Sequence, residues 1–170
     1  MKFEIRRASN NDEQDLVKVL NDSLEYKRSL GDDSWGEDFF SIDEVRAMLK
    51  RSDIYVAVSD GEIVATISLE WSDSRLWGSE LGKDDKAVYL HQAAVKSNQR
   101  GNRLGEYLIT WAGKFAKEQG RVYVRLDCGE SAHGLIAYYK GIGFDKVGEG
   151  TVEHNGYRAT LLQKTIALTD

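Results

Sequence analysis

The sequence predicts an α/β fold in which a mixed sheet carries helices on its faces. Short β-rich stretches alternate along the chain with segments of helical periodicity, an alternation typical of this class. The 170 residues are 41% hydrophobic and 30% charged, the composition of a globular protein large enough to bury a core. No repeat, low-complexity tract or linker divides the chain, so residues 1–170 are predicted to form a single domain.

Composition and charge argue against several classes of function. The net charge of -5 disfavours general nucleic-acid binding, which needs a basic face. The apolar runs are too short to cross a bilayer, and the charged stretch Met1–Asn10 shows no export signal. The single cysteine, Cys128, excludes an internal disulfide and fits a reducing compartment. We therefore expect a cytoplasmic protein that binds neither nucleic acid nor membrane.

The N-terminal half is predicted to contain three strands and two helices. Ser41 and Glu44 have the spacing of a capping box before the second helix, and Asp60-Gly61 is a hairpin signal. The segment Trp71–Asp85 is polar and is predicted to be a loop. The predicted elements are a strand at Phe3–Ala8, helices at Asp12–Tyr26 and Ile42–Arg51, and strands at Ile54–Val58 and Ile63–Glu70.

The C-terminal half opens with a strand, a glycine-bearing loop and a long amphipathic helix. Apolar residues from Leu104 to Phe115 recur at helical period, and Gly120 is a typical helix stop. The predicted order is a strand at Val88–Val95, the loop Lys96–Gly105, this helix, a strand at Val122–Asp127, a helix at Ala132–Lys140, and strands at Phe144–Gly148 and Tyr157–Ile166.

The loop Asn98–Gly105 is a candidate phosphate site. Gly101 and Gly105 allow close approach of the backbone, Arg100 and Arg103 add positive charge, and a helix N-terminus follows. These features suit a pyrophosphate. The loop has neither the P-loop signature nor the dinucleotide-binding fingerprint. The alternative is an ordinary connection between a strand and a helix.

Two further stretches suggest contacts with a ligand. If the strand after Val88–Val95 diverges from it, the backbone near Ala93–Val95 becomes available to an extended amide ligand; the alternative is an ordinary central strand. Tyr138 and Tyr139 lie at the end of the helix before Gly143-Phe144. An ordinary tyrosine is protonated at pH 7, so one of them can donate a proton to a leaving thiolate. The alternative is that both tyrosines pack in the core.

His91 is the candidate general base. On a regular strand it shares a face with Tyr89 and Ala93, so it can line a cleft. The alternative is a structural histidine. The remaining histidines show no metal-ligand spacing, so no metal is predicted. Three acidic residues are candidates for partners of this histidine: Glu70, Glu80 and Asp127.

Two motifs occur in a characteristic order. YLHQAAVKSNQRGNRLGEYLI has a strand followed by a loop similar to Gln/Arg-x-x-Gly-x-Gly/Ala, and VRLDCGESAHGLIAYYKGIGF has a strand, a helix and a Tyr-x-x-x-Gly-Phe-like ending. Together they resemble the fourth strand, the pyrophosphate loop and the fifth strand of the GNAT superfamily of acyl-CoA-dependent N-acetyltransferases. The resemblance implies a mixed, mostly antiparallel sheet of about seven strands, about four helices on its faces, and splayed fourth and fifth strands.

The resemblance also implies acetyl-CoA as co-substrate, no metal, and a role for each matching residue. The backbone of Ala93, Ala94 and Val95 would pair with the pantetheine arm. Tyr139 would protonate the coenzyme A thiolate, and His91 would be the base, since Tyr89 is a poor base near neutral pH. The pyrophosphate would be enclosed at the helix N-terminus by Arg100, Gly101, Asn102, Arg103, Leu104 and Gly105.

Three positions depart from the family pattern. Asn98 replaces Gln or Arg at the first loop position, Arg103 replaces the second glycine, and Ala132 replaces the asparagine that commonly opens the helix before the tyrosine. Two hypotheses follow. The first is an N-acetyltransferase that moves an acetyl group directly from acetyl-CoA to a primary amine of a small molecule or peptide. The second is a non-catalytic acyl-CoA-binding or regulatory module on the same fold.

Two loops suggest a positively charged acceptor. Their tryptophans, Trp35, Trp71 and Trp77, could offer cation–π faces, while the alternative is that these charged loops are simply solvated. Homodimers are common in the family, but no stretch of the sequence specifies an interface. The acidic residues of these loops are Asp32, Asp33, Glu37 and Asp38 in the first and Asp73, Glu80, Asp84 and Asp85 in the second.

Overall fold

The computed structural model describes residues 3–32, 34–83 and 86–167. Asp33, Asp84 and Asp85, three of the acidic residues considered for the acceptor, lie outside the described residues. The elements are β1 (Glu4–Arg7), α1 (Glu13–Ser29), α2 (Ile42–Arg51), β2 (Asp53–Ser59), β3 (Glu62–Glu70), α3 (Ser74–Leu81), β4 (Ala87–Val95), α4 (Leu104–Glu118), β5 (Tyr123–Gly129), α5 (His133–Gly141), β6 (Asp145–Val152) and β7 (Tyr157–Thr165).

The strands form one seven-stranded sheet in the order β1-β2-β3-β4-β5-β7-β6. β4 and β5 pair in parallel, whereas β1 with β2, β2 with β3, β5 with β7 and β6 with β7 are antiparallel. The parallel pairing covers only Ala87–Tyr89 and Tyr123–Arg125. The predicted mixed sheet with splayed fourth and fifth strands is therefore confirmed.

Local signals in the sequence account for the ends of several elements. Glu44 N–H donates to Ser41 Oγ (3.2 Å) and Ser41 N–H donates to Glu44 Oε2 (2.8 Å), which is the predicted capping box of α2. Asp60 and Gly61 have φ values of 51° and 80°, so the β2–β3 hairpin has two left-handed turn residues. Among the described residues, no helix combines the length and hydropathy that a bilayer span requires.

The prediction of a loop over Trp71–Asp85 was wrong, because this segment contains α3. Gly78 interrupts the helix with φ 78° and ψ 179°, which leaves too short a periodic pattern to detect in the sequence. Packing stabilises the helix instead, since Leu76 and Trp77 are each only 5% exposed. The described residues therefore form five α-helices rather than about four.

Contacts divide the chain into two compact units. The first unit comprises Met1–Leu69 and His91–Ile109, and the second comprises Glu70–Leu90 and Thr110–Asp170. The core of the first unit contains Leu16, Val19, Leu20, Val45, Met48, Ile54, Val56, Ile63 and Ala94. The core of the second unit contains Leu76, Trp77, Ala87, Tyr89, Val152, Ala159 and Leu161. The assignment of residues 1–170 to a single domain stays a prediction.

Candidate active site

The candidate site residues are distributed over both units. His91 and all of the predicted cofactor-binding residues belong to the first unit, and Tyr139 belongs to the second. Each group has its own local geometry.

An irregularity in β4 precedes the predicted pantetheine-binding backbone. Gln92 has φ 40°, a left-handed conformation in the interior of a strand. A positive φ at this position interrupts the regular alternation of side chains, so a shared face of His91 and Ala93 does not follow from alternation alone and stays a prediction. His91 and Ala93 are partly buried, and Ala94 is 2% exposed.

The last residue of β4 is held by a side chain of α1. Val95 N–H donates to Ser23 Oγ (3.2 Å), and the Ser23 hydroxyl donates to the Val95 carbonyl (3.3 Å). The next residue, Lys96, instead donates its N–H to Val64 O in β3 (2.9 Å). Because Ser23 both donates and accepts, it satisfies the Val95 backbone as the amide of an extended ligand would.

The candidate phosphate loop has two residues in the left-handed region. Ser97–Gln99 form a 3-10 turn, after which Gly101 has φ 85° and Arg103 has φ 55°. The Arg103 carbonyl accepts from Tyr107 N–H (3.0 Å), which is the first bond of α4, and Leu104 is 1% exposed. The first-turn N–H groups of a helix have no acceptor within the helix, so such an N-terminus suits an anion.

Both arginines of the loop have acidic partners. Arg103 donates from Nε and Nη2 to the two carboxylate oxygens of Glu106 (2.9 Å each), and its side chain is 80% exposed. Arg100 donates from Nη2 to the Asp22 carbonyl (3.2 Å) and carboxylate (3.4 Å). Its guanidinium carbon also lies 3.9 Å from the centroid of the Tyr26 ring. The positive charge of the two loop arginines is thus partly neutralised by Asp22 and Glu106.

Tyr139 lies on α5 among aromatic rings. Its ring contacts those of Tyr138 and Phe144 edge-on, at centroid distances of 5.3 and 5.6 Å, and its carbonyl accepts from Phe144 N–H (3.0 Å). Burial raises the pKa of the Tyr139 phenol, and the nearby Cys128 raises it further. The phenol therefore keeps its proton at neutral pH, as the predicted acid must. Tyr138 is 44% exposed, so the two tyrosines have different environments.

Other polar residues of the second unit make structural contacts. Tyr89 is completely buried, its hydroxyl donates to the Leu81 carbonyl, and Arg125 Nη1 donates to the Tyr89 hydroxyl (3.1 Å). These bonds give Tyr89 a packing role. Asp127 Oδ2 accepts from the Tyr157 hydroxyl (3.0 Å), which joins β5 to β7. Ala132 precedes α5 without a side-chain cap, consistent with the loss of the family's asparagine there.

Each tryptophan considered for a cationic acceptor already has a cation of the protein on its ring. Lys27 Nζ lies 5.0 Å from the Trp35 ring centroid, and Lys27 also pairs with Asp32 (2.6 Å). Arg121 lies over Trp71 and Arg125 lies over Trp77, both at 5.2 Å. Trp35, Trp71 and Trp77 are therefore involved in internal cation–π contacts.

The contacts from α1 to the loop after β4 are functional candidates that the sequence did not indicate. Asp22 is partly buried and Ser23 is buried on α1, and their partners are 72 to 78 residues away in the chain. No local pattern marks such contacts. The irregularity at Gln92 is also invisible in the sequence, because glutamine has no particular preference for a positive φ.

Comparisons with known proteins agree with this architecture. Residues 16–144 match the family model described as the acetyltransferase (GNAT) family. The chain is 26% identical to the uncharacterized N-acetyltransferase YesJ of Bacillus subtilis over 165 residues, which cover 91% of this chain and 86% of YesJ.

Solved structures of acetyltransferases resemble this chain in fold. A GNAT-family acetyltransferase from Listeria monocytogenes has a TM-score of 0.78 and 25% identity, covering 96% of this chain and 94% of that one. The paia N-acetyltransferase of Thermoplasma acidophilum, solved in complex with coenzyme A, has the same fold, with a TM-score of 0.72 and 19% identity over 97% and 99% of the two chains. The chain therefore belongs to the GNAT family of acetyltransferases.

Proposed function

We propose that this chain is an N-acetyltransferase that transfers an acetyl group from acetyl-CoA directly to a primary amine of a small molecule or a peptide. The observation that carries the proposal is the loop after β4, whose left-handed residues Gly101 and Arg103 lead into the N-terminus of α4. A backbone of this shape suits the pyrophosphate of coenzyme A. The related Thermoplasma acidophilum enzyme was crystallised with coenzyme A, which supports the same cofactor here.

The reaction has one bond-forming and one bond-breaking step. The amine nitrogen attacks the acetyl carbonyl, a C–N bond forms, and the C–S bond breaks to leave the coenzyme A thiolate. Tyr139 gives its phenolic proton to that thiolate, and His91 removes a proton from the attacking amine. The backbone of Ala93, Ala94 and Val95 pairs with the pantetheine arm, which takes the place of the Ser23 hydroxyl at Val95, and residues 100–105 enclose the pyrophosphate. The proposal includes no metal.

The second candidate function is a non-catalytic acyl-CoA-binding module. The pairing of Arg100 with Asp22 and of Arg103 with Glu106 favours it, because both loop cations have partners within the protein. A panel of amines, polyamines, aminoglycosides and peptide N-termini separates the two functions. The enzyme releases free thiol with at least one acceptor, whereas the module binds coenzyme A without turnover.

The charge of the acceptor remains a separate hypothesis. The net charge of -5 favours a cationic acceptor. Trp35, Trp71 and Trp77 each already contact a cation of the protein, so these rings are less available to a cationic acceptor. Equal rates with neutral and dicationic amines would contradict selection by charge.

Replacement of Tyr139 tests the proposed acid. We expect Tyr139→Phe to lower kcat roughly 100-fold, because general acid catalysis contributes on that order, and to leave KM for acetyl-CoA within about twofold. Tyr138→Phe is the matched control, since Tyr138 is the neighbouring residue and is 44% exposed. Steady-state rates of thiol release measure both variants. Equal kcat values for Tyr139→Phe and the wild type would rule out the acid role.

A further inference from the structure

A carboxylate on α1 organises the turn after β4. Asp22 Oδ2 accepts from Ser97 N–H (2.5 Å) at the start of the 3-10 turn and also from Arg100 Nη2 (3.4 Å). The residue before this turn is Lys96, which makes no side-chain cap. Asp22 therefore supplies the N-terminal cap that the local sequence lacks.

Arg100 is held in place by α1 on two sides. Its Nη2 also donates to the Asp22 backbone carbonyl (3.2 Å), and its guanidinium stacks on Tyr26, one helical turn further along α1. The Arg100 side chain is only 25% exposed. These contacts fix both ends of the segment 97–100, which leads directly to the left-handed Gly101.

We infer that Asp22 is a positioning residue for the pyrophosphate of acetyl-CoA. It acts through Ser97 and Arg100, holding the loop in the conformation that presents backbone N–H groups to the anion. This inference rests on the proposed function, because it concerns the affinity of the same loop for the same cofactor. It assigns to α1 a part in donor binding and gives Arg100 an anchoring role.

Two effects of the Asp22 charge oppose each other, and their balance decides the sign of the prediction. A carboxylate near the loop repels a pyrophosphate and pairs with Arg100, so its removal leaves more positive charge for the ligand. That gain is small, because partly exposed ion pairs are weak and screened by salt. The loss of the cap frees several backbone residues, which must then be ordered again upon binding. We expect the ordering effect to dominate.

The experiment compares two donors and two variants. Acetyl-CoA carries the pyrophosphate, whereas S-acetylpantetheine carries the same thioester without it. Asp22→Ala removes both hydrogen bonds to the loop, and Asp22→Asn keeps an acceptor for Ser97 N–H but loses the charge. Asp15→Asn is the control, since Asp15 is an exposed aspartate of the same helix that pairs with Lys18 (2.9 Å). Circular dichroism and thermal melts check that each variant is folded.

We expect Asp22→Ala to raise KM for acetyl-CoA about tenfold, with kcat within about twofold and KM for S-acetylpantetheine unchanged. Asp22→Asn should raise KM for acetyl-CoA by less than Asp22→Ala does, and Asp15→Asn should match the wild type. The dissociation constant of coenzyme A, measured by calorimetry, should change in the same ratio as KM.

Three results would overturn the inference. They are a lower KM for acetyl-CoA in both Asp22 variants, an equal increase for both donors, and an unchanged dissociation constant of coenzyme A. A wild-type chain that binds coenzyme A but never releases thiol would contradict the proposed catalytic function alone. The calorimetric comparison of wild type and Asp22→Ala would still decide the role of Asp22 in that case.

Discussion

Arg103 adopts a backbone conformation that glycine prefers. Its φ of 55° costs a residue with a Cβ about 1–2 kcal/mol. The resemblance to the family had already marked this position, because a glycine is expected there. The backbone keeps the glycine-like shape, and the side chain points to Glu106 and is 80% exposed. The arginine thus preserves the loop conformation at an energetic cost.

Two substitutions of Arg103 distinguish the energetic cost of its backbone conformation from the contribution of its side chain. Arg103→Gly and Arg103→Ala both lose the exposed ion pair to Glu106. Such a pair stabilises the folded state by only about 0.3 kcal/mol. Only the glycine relieves the strain. We expect Arg103→Gly to be more stable than Arg103→Ala by about 1 kcal/mol in urea unfolding. A glycine variant less stable than the alanine variant would show that the position is not strained.

At the scale of the element, β6 and α3 of the second unit meet at a glycine. A Cβ at Gly150 would lie 2.7 Å from the Leu76 carbonyl oxygen and 2.9 Å from Leu76 Cδ1. A Cβ at Gly148, two residues earlier in the same strand, would lie 3.7 Å from Leu161 Cδ1, an ordinary contact. Neither glycine has a positive φ. Close approach of α3, and not backbone freedom, therefore requires the glycine at position 150.

The contact between Gly150 and α3 predicts that glycine-to-alanine substitutions at two positions of β6 have different effects on stability. Gly150→Ala should destabilise the protein by about 1–3 kcal/mol, because the carbonyl of Leu76 cannot move without displacing α3. Gly148→Ala should change the free energy of unfolding by less than about 0.5 kcal/mol. Thermal and urea unfolding measure both variants. Equal losses for the two alanines would contradict a steric role for α3.

The helix α3 also shows which elements could not be predicted from the sequence. Elements with a clear period or a cap were predicted nearly to the residue, such as α2, which begins and ends at the predicted Ile42 and Arg51. α3 was missed because its formation depends on the burial of Leu76 and Trp77 and not on a local pattern. The hydrogen bonds of Ser23 to Val95 are non-local in the same sense, since they join residues 72 positions apart. The candidate site followed from motifs, whereas its support from α1 did not.

At the scale of the whole molecule, one buried acid makes stability depend on pH. Asp12 is 7% exposed and accepts two hydrogen bonds from Arg6 (2.8 and 2.9 Å). The bond from the Arg6 guanidinium is the main cause that lowers the pKa of Asp12 to about 2, and Ser9 N–H contributes. Since the folded pKa lies below the ordinary value of 3.8, the pair stabilises the folded state above pH 4.

We expect this contribution, about 2 kcal/mol, to be lost as the pH falls from about 4 to about 2. Asp12→Asn should therefore be less stable than the wild type at pH 7 by about 2 kcal/mol, and the difference should shrink toward pH 2. Urea unfolding at several pH values measures it. Arg6→Gln and the double variant complete a mutant cycle, and additive losses would show that the two side chains are not coupled.

Trp35 is an intrinsic fluorescent probe of the first unit. Trp35 lies in the first unit, beneath Lys27, while Trp71, Trp77 and Trp111 all belong to the second. The fluorescence difference between the wild type and Trp35→Phe is therefore the emission of the first unit alone. Followed during unfolding, that difference spectrum reports when the surroundings of Trp35 against α1 melt, separately from the three remaining indoles.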